Sequence, residues 1–474
     1  MKKTPSYTEA AIKRLPYPLR KITAKNRITH LLLCIVTFTV IFVSCKNDEP
    51  ISITHNPNSP IVLTSFSPDS GHIAEMILLD GENFGTDTSK IKVSFNEKKA
   101  VVLSSTGTRI LALVPRLPGD TCSIKVEIGD QKGEYTNHFL YKIAASVTTI
   151  AGNGNDPGDK PVYDQGLSKS QLRPVYIGMD KEFNIFVTDN QNNLVRINEA
   201  ENSITVVANG SQGFNHRCAP IANPVTNVLQ MGAEDENNRD KFIFCDPNAG
   251  WIPKLYFIKE WDWNGYQSPT GTNHTHYACL YCEADGNYYT RYNNGLLVRI
   301  DPKTWNARAV GMTPSGVTYG AAMHPINKNE LWLAYDSGSG EVSHSICRVD
   351  VTSETVGVDK KGLLDSFEKL SGATNGAHRD GPLSMAQFKS PRMINFDADG
   401  NLYVGDNGNH CIRMINTNTM MVETIIGIPE KSGFKDGSKD EAMFKEPHGI
   451  VIDAEGIIYV SDYGNNRVRR IAIE

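Results

Sequence analysis

Short runs in which apolar and polar residues alternate recur along the chain, as in Ile91-Lys92-Val93-Ser94-Phe95 and Ser123-Ile124-Lys125-Val126-Glu127-Ile128. Alternation at a period of two puts successive side chains on opposite faces of an extended strand, one toward a core and one toward water. Asp-Gly turns such as Asp399-Gly400 and Asp285-Gly286 break the runs, and residues such as Val, Ile, Tyr and Phe fill them. The pattern predicts an all-β protein with no long helix and no coiled coil.

One of these patterns is written twice, 56 positions apart. Phe388-Lys389-Ser390-Pro391, Asp399-Gly400-Asn401-Leu402-Tyr403-Val404-Gly405-Asp406 and Arg413 recur as Phe444-Lys445-Glu446-Pro447, Glu455-Gly456-Ile457-Ile458-Tyr459-Val460-Ser461-Asp462 and Arg469. Pro174, Asp189 and Arg196 keep the same offsets around Phe183-Asn184-Ile185-Phe186-Val187-Thr188. Between Val225 and Gly362 the wording decays but the rhythm persists. Asp285-Gly286-Asn287-Tyr288-Tyr289 leads to Tyr292 and Arg299, Leu331-Trp332-Leu333-Ala334-Tyr335 leads to Arg348, and Phe242-Ile243-Phe244-Cys245-Asp246 reads as a further strand of the same kind. Repeats of this length built of short strands stack as sheets around an axis.

The Pro, Asp-Gly-Asn, Tyr-Val-x-Asp and Arg-x-Ile elements resemble the NHL repeat, a propeller family, which implies six blades over 145–474. The last copy has only three strands before the chain ends, whereas the copy before it has a fourth, Val422-Glu423-Thr424-Ile425-Ile426-Gly427. Its twin, Val147-Thr148-Thr149-Ile150-Ala151-Gly152, stands alone before the first copy. The expectation is a six-bladed β-propeller closed by this N-terminal strand, with no open seam. Upstream, Met76-Ile77-Leu78-Leu79-Asp80-Gly81-Glu82-Asn83-Phe84-Gly85 and Ile110-Leu111-Ala112-Leu113-Val114-Pro115 resemble an IPT/TIG domain, which implies a small immunoglobulin-like sandwich over 60–143 with Phe84 as a core plug.

Residues 1–44 read as an address. Eight Lys and Arg precede the apolar run Leu31–Ser44, which is shorter than the roughly 20 residues that span a bilayer. Val43-Ser44-Cys45 resembles a lipobox, which implies a lipoprotein signal peptide over 1–44, acylation of Cys45 and a linker over 45–59. Lys46-Asn47-Asp48-Glu49 looks like the tag that places some Gram-negative lipoproteins on the outer face of the outer membrane. Cleavage changes the charge: 40 Lys plus Arg would stand against 52 Asp plus Glu, a net charge of −12. Such a chain repels polyanions, and no basic patch is visible for nucleic acid.

The remaining chemistry is sparse. Seven cysteines follow residue 45, at 122, 218, 245, 279, 282, 347 and 411, several within strands, and they are expected as buried thiols. His274, His276, Cys279 and Cys282 offer zinc-ligand chemistry, but on a strand Cys279 and Cys282 face opposite sides, so no metal site is assigned. Calcium is not indicated either, although Asp-rich turns are frequent. Some NHL-type propellers are lyases with converging histidines; here His448 has Arg392 and Val175 as its counterparts, so that set is incomplete. Asp189, Asp406 and Asp462 are read as bonding backbone amides, and Arg196, Arg413 and Arg469 as bracing neighbouring blades. No catalytic residue is assigned. Asp262, Asp246 and Glu283 are the first suspects under an enzyme reading.

Trp251, Trp261 and Trp263 lie within thirteen residues of one another, beside Asp262 and Tyr266, where the repeat is most decayed. Flat aromatic faces beside Asp and Asn suit neutral sugars. These five residues are therefore the predicted ligand site, on loops expected at one rim of the channel. The function expected is non-catalytic binding of a neutral oligo- or polysaccharide at the cell surface, serving an outer-membrane transporter or other surface lipoproteins. A protein-interaction scaffold and a propeller enzyme, a lyase or glycan hydrolase, are the alternatives.

Overall fold

A computed structural model describes residues 52–473 apart from 117–120, 143, 213–217, 233–240, 269–277, 355–361 and 373–374. The leader, the lipobox, Cys45, His274 and His276 lie outside the described residues. Within them regular structure is strand and short 3-10 turn, with no α-helix.

The N-terminal domain consists of a four-stranded sheet from Val62–Ser67, Met76–Glu82, Arg109–Leu113 and Val101–Ser105, a second from Gln131–Glu134, Ile124–Ile128, Ile91–Phe95 and Lys98–Lys99, and a small three-stranded sheet. Alternate residues point inward: Ile77 and Leu79 from one sheet meet Val93, Phe95 and Val126 from the other. Phe84 joins them at 1% exposure, as the sequence predicts. Here the period-two pattern produces a sandwich directly, since each sheet has one apolar face to hide.

The larger domain has six blades, whose four principal strands run from the central channel outward. Blade 1 is Pro174–Met179, Ile185–Asp189, Leu194–Asn198 and Ser203–Ala208; blade 5 is Pro391–Phe396, Leu402–Asp406, Cys411–Asn416 and Met421–Ile426. Blade 6 takes three strands from the C-terminus, Pro447–Ile452, Ile458–Asp462 and Arg467–Ile473, and its fourth is Ala145–Ala151. That strand pairs antiparallel with the last, Ala145 opposite Ile473 and Thr149 opposite Arg469. The ring closes as predicted, and the ladder that would be left at an edge is paired.

Two sequence readings are corrected. Phe242–Cys245 belongs to the third strand of blade 2, outside Leu229–Gly232, not to the second strand that carries the repeat signature. Apolar residues on both faces look alike in either position, so pattern alone could not place it. Secondly, Glu260–Asp262 pairs in parallel with Asn306–Met312, the outermost strand of blade 3. The tryptophan segment is thus a fifth strand on the propeller's perimeter, far from the channel rim.

The two domains touch. Arg116 donates to the carbonyls of Glu455 and Gly456 at 3.0 and 2.8 Å, and Lys98 pairs with Asp399 at 2.5 Å. Both partners lie on turns joining the first and second strands of blades 5 and 6, so the sandwich docks on the face of the propeller that carries those turns.

Candidate ligand-binding site

The predicted aromatic residues are largely occupied with one another. Trp261 and Trp263 stack in parallel, 4.2 Å between centroids and 2° between planes. Asp262 between them is ion-paired to Arg308, which also binds Glu354 at 3.1 Å. The Asn264 backbone N–H and then Arg308 hold the Asp262 carboxyl below its usual range. Tyr266 packs against the same cluster with its hydroxyl buried. Trp251 sits in a left-handed backbone conformation, φ +59°, with Phe186 at 5.8 Å and the Arg196 guanidinium 4.6 Å over its ring. The structure brings Trp261, Asp262, Trp263 and Tyr266 together, leaves Trp251 between blades 1 and 2, and places none of the five at the channel.

The repeated Asp and Arg are structural in blades 5 and 6. Arg413 and Asp406 are fully buried and 2.8 Å apart; Arg469 and Asp462 repeat this at 2.6 Å. Each arginine also binds a second aspartate, Asp380 or Asp436, and two carbonyls of the loop leading into its own blade. They brace that loop, where bracing of neighbouring blades was predicted. Each aspartate accepts a backbone N–H, from Lys389 or Lys445. Blade 1 departs: Asp189 accepts from Tyr163 and its own turn, while Arg196 turns to Trp251.

Of the suspected carboxylates, Glu283 is paired with Lys328 at 2.5 Å and Asp246 accepts from the Asn248 backbone at 2.8 Å. His448 is buried edge-on against Tyr176 at 5.0 Å, and Arg392 lies 4.0 Å over Tyr319 and 3.2 Å from Asp336. All seven described cysteines are buried, as predicted, and none is in a disulfide among the described residues. Cys279 and Cys282 join different core clusters, consistent with opposite faces of their strand. Burial pushes the Cys282 thiol up to about 11 and the Cys347 thiol to about 11.

Two cavities and a cleft open on the face that carries the first turn of each blade. The first cavity, about 200 Å³, lies at the channel mouth among inner strands of blades 2 to 5, lined by Ala222, Gln230, Tyr281, Ala321, Asn395 and Phe396 among others. The second, about 440 Å³, adjoins it at Ala222 and Pro224 and reaches Asp180, Lys181 and Asp453. Across the turn Asn223–Val228 lies the cleft, about 640 Å³, between blades 2 and 3, with Phe244, Tyr256, Tyr288 and Trp305 on its wall and Asp246 and Lys254 at its edge. Tyr256 and Trp305 stack at 4.4 Å. Sequence reasoning missed both the mouth and the cleft. Tyr256 stood close to the predicted cluster, but Trp305 comes from a separate turn and Gln230 carried no local signal.

Residues 60–141 match the IPT/TIG domain, and residues 444–471 match the NHL repeat. NHL repeat-containing protein 2 of Gallus gallus is 26% identical over 302 residues, 61% of this chain and 37% of the relative. The chain therefore aligns with well under half the length of that relative. Among solved structures, a structural genomics protein of unknown function from Bacteroides thetaiotaomicron VPI-5482 superposes with a TM-score of 0.61 at 21% identity, covering 89% of this chain and 100% of that one. An auxiliary nutrient binding protein from the same organism gives 0.54 at 23% identity, covering 89% and 99%, and one from Bacteroides ovatus ATCC 8483 gives 0.54 at 19%, covering 89% and 100%. At these identities the likeness establishes the shared fold.

Proposed function

We propose that the protein binds a neutral oligo- or polysaccharide without chemistry, on the propeller face shared by the channel mouth and the aromatic cleft. One observation carries this reading: a largely apolar cavity that holds the amides of Gln230 and Asn395 and an aromatic cleft lie side by side, and the suspected carboxylates are engaged in ion pairs or turns. An uncharged chain crossing the Asn223–Val228 turn would meet a small cavity holding amide groups at one end and aromatic rings at the other. The nutrient-binding description of two proteins of the same fold supports the same class of role. In this reading Cys45 carries the lipid anchor and the protein faces the cell exterior, delivering glycan to a transporter.

Affinity electrophoresis of the chain from Lys46 onward, which contains every described residue, tests the binding. Retardation by one neutral polysaccharide of unchanged length, lost in Tyr256→Ala/Tyr281→Ala, is the expected result. Shortened products would show an enzyme; retardation by none would leave the scaffold reading. Radiolabelled palmitate should enter the full chain and not Cys45→Ala, and surface protease should cleave the protein on intact cells.

A further inference from the structure

The channel mouth contains a buried amide whose orientation is set by its neighbours. Asn223 Oδ1 accepts from the backbone N–H groups of Val225 and Thr226, at 2.9 and 3.0 Å, so its Nδ2 is the donor that meets Gln230 Oε1 at 3.4 Å. Gln230 must then present Nε2 elsewhere. Its side chain is 0% exposed, Nε2 has no partner among the described residues, and the residue lines the 200 Å³ cavity. A buried donor left unpaired is destabilising, and an acceptor entering the cavity would recover that loss.

The walls say which acceptor. Ala222, Ala321, Ala322, Met323 and Ile394 surround the cavity with alkyl groups. A hydroxyl accepting from Gln230 would leave its own proton facing that wall, and a carboxylate would lose its water there with Lys328, already paired with Glu283, as the cation in the lining. A carbonyl bearing a methyl group satisfies both conditions, because its oxygen only accepts and its methyl is apolar. The volume is also below the about 300–1,000 Å³ typical of whole-ligand pockets, so a substituent fits where a sugar chain does not. Resting on the proposed binding of sugars, we infer that the cavity takes an acetyl group carried by a sugar, with Gln230 Nε2 donating to its carbonyl oxygen.

The source is either an amino sugar's acetamido group or an acetyl ester, and matched probes separate them. Binding to the chain from Lys46 onward is measured by NMR titration with methyl N-acetyl-β-glucosaminide against methyl β-glucoside, and with acetylated against saponified xylo-oligosaccharides. At least one acetylated probe should bind about tenfold or more tighter than its partner, which names the source, and Gln230→Leu, which also takes away the acceptor of Asn223 Nδ2, should remove the difference while the protein stays folded. Ala321→Leu, which fills the cavity from a half-buried position, should abolish the same preference. Equal binding within both pairs, or a preference that survives in both variants, overturns the acetyl assignment and leaves sugar binding standing. Failure of all four probes while another neutral glycan is retarded in electrophoresis overturns it in the same way.

Discussion

Blades 5 and 6 obey the repeat and blades 2 and 3 have drifted from it, and the two pairs divide the work of the molecule. In the obedient pair a buried arginine ties its aspartate and the preceding loop into one unit. The same pair holds the IPT/TIG domain through Lys98 and Arg116. In the drifted pair no such unit forms among the described residues. Tyr292 stands where blade 3 would carry its aspartate, and Arg299 pairs instead with Glu354 at 3.3 Å. Aromatic rings fill the space, a fifth strand is added outside, and the cleft opens there, beside a channel cavity that blades 4 and 5 also line. A repeat position freed from the ion-pair network is free to shape a surface.

The largest effect should come from breaking the buried pairs. Arg413→Ala or Arg469→Ala strands an aspartate in the core and should lower stability by about 3–5 kcal/mol in urea melts. Arg196→Ala, at the matching position of blade 1, removes only a stacking contact and should cost about 1 kcal/mol or less. Equal losses at the three positions would erase the distinction between blades. Trp305→Ala, from the core of the drifted pair, should cost about 3–5 kcal/mol, whereas half-buried Trp263 should cost about half of that. If Trp263→Ala is the more damaging, the perimeter strand is a structural clasp of the ring and the reading of that edge changes.

Smaller effects probe the domain contact and the ionisation of the fold. Lys98→Ala and Arg116→Ala should each cost at most about 1 kcal/mol, because both act at exposed turns. Calorimetry that splits into two transitions in the double variant would show that these contacts couple the domains. On acidification, burial holds His324, His344 and His410 below the usual 6.5, so the unfolded chain takes up protons that the native one refuses. Stability therefore falls slightly as pH drops through 6.5. Burial pushes Asp406 and Asp462 up to about 6, so below that pH the native state gains protons first and offsets the loss. A small fall in Tm from pH 7.5 to 6.0 that flattens further down is the expected profile.

Most of the fold was legible because its signals are local. A period of two, an Asp-Gly turn and a repeat interval need only neighbouring residues, and they were enough to find the sandwich, the six blades and the closing strand. Even the closure was readable, since one unpaired copy of Val-x-Thr-Ile implied a partner at the far end. The site was not legible in that way. Trp261, Asp262 and Trp263 were found as a cluster, but which edge they pair with depends on Asn306–Met312, more than forty positions on. Gln230 acquired its role from an Asn223 turn, a fixed amide orientation and walls supplied by blades 3 to 5.

By itself, then, the sequence determined the strands, their repeat and the order of the two domains, since hydrophobic alternation and turn chemistry act over a few residues. Only the tertiary structure decided which strand lies at a blade's edge, which aromatic rings line a cleft and which buried amide comes to lie beside a cavity. Those outcomes depend on packing between segments distant in the chain, where apolar runs are interchangeable until a neighbour is in place.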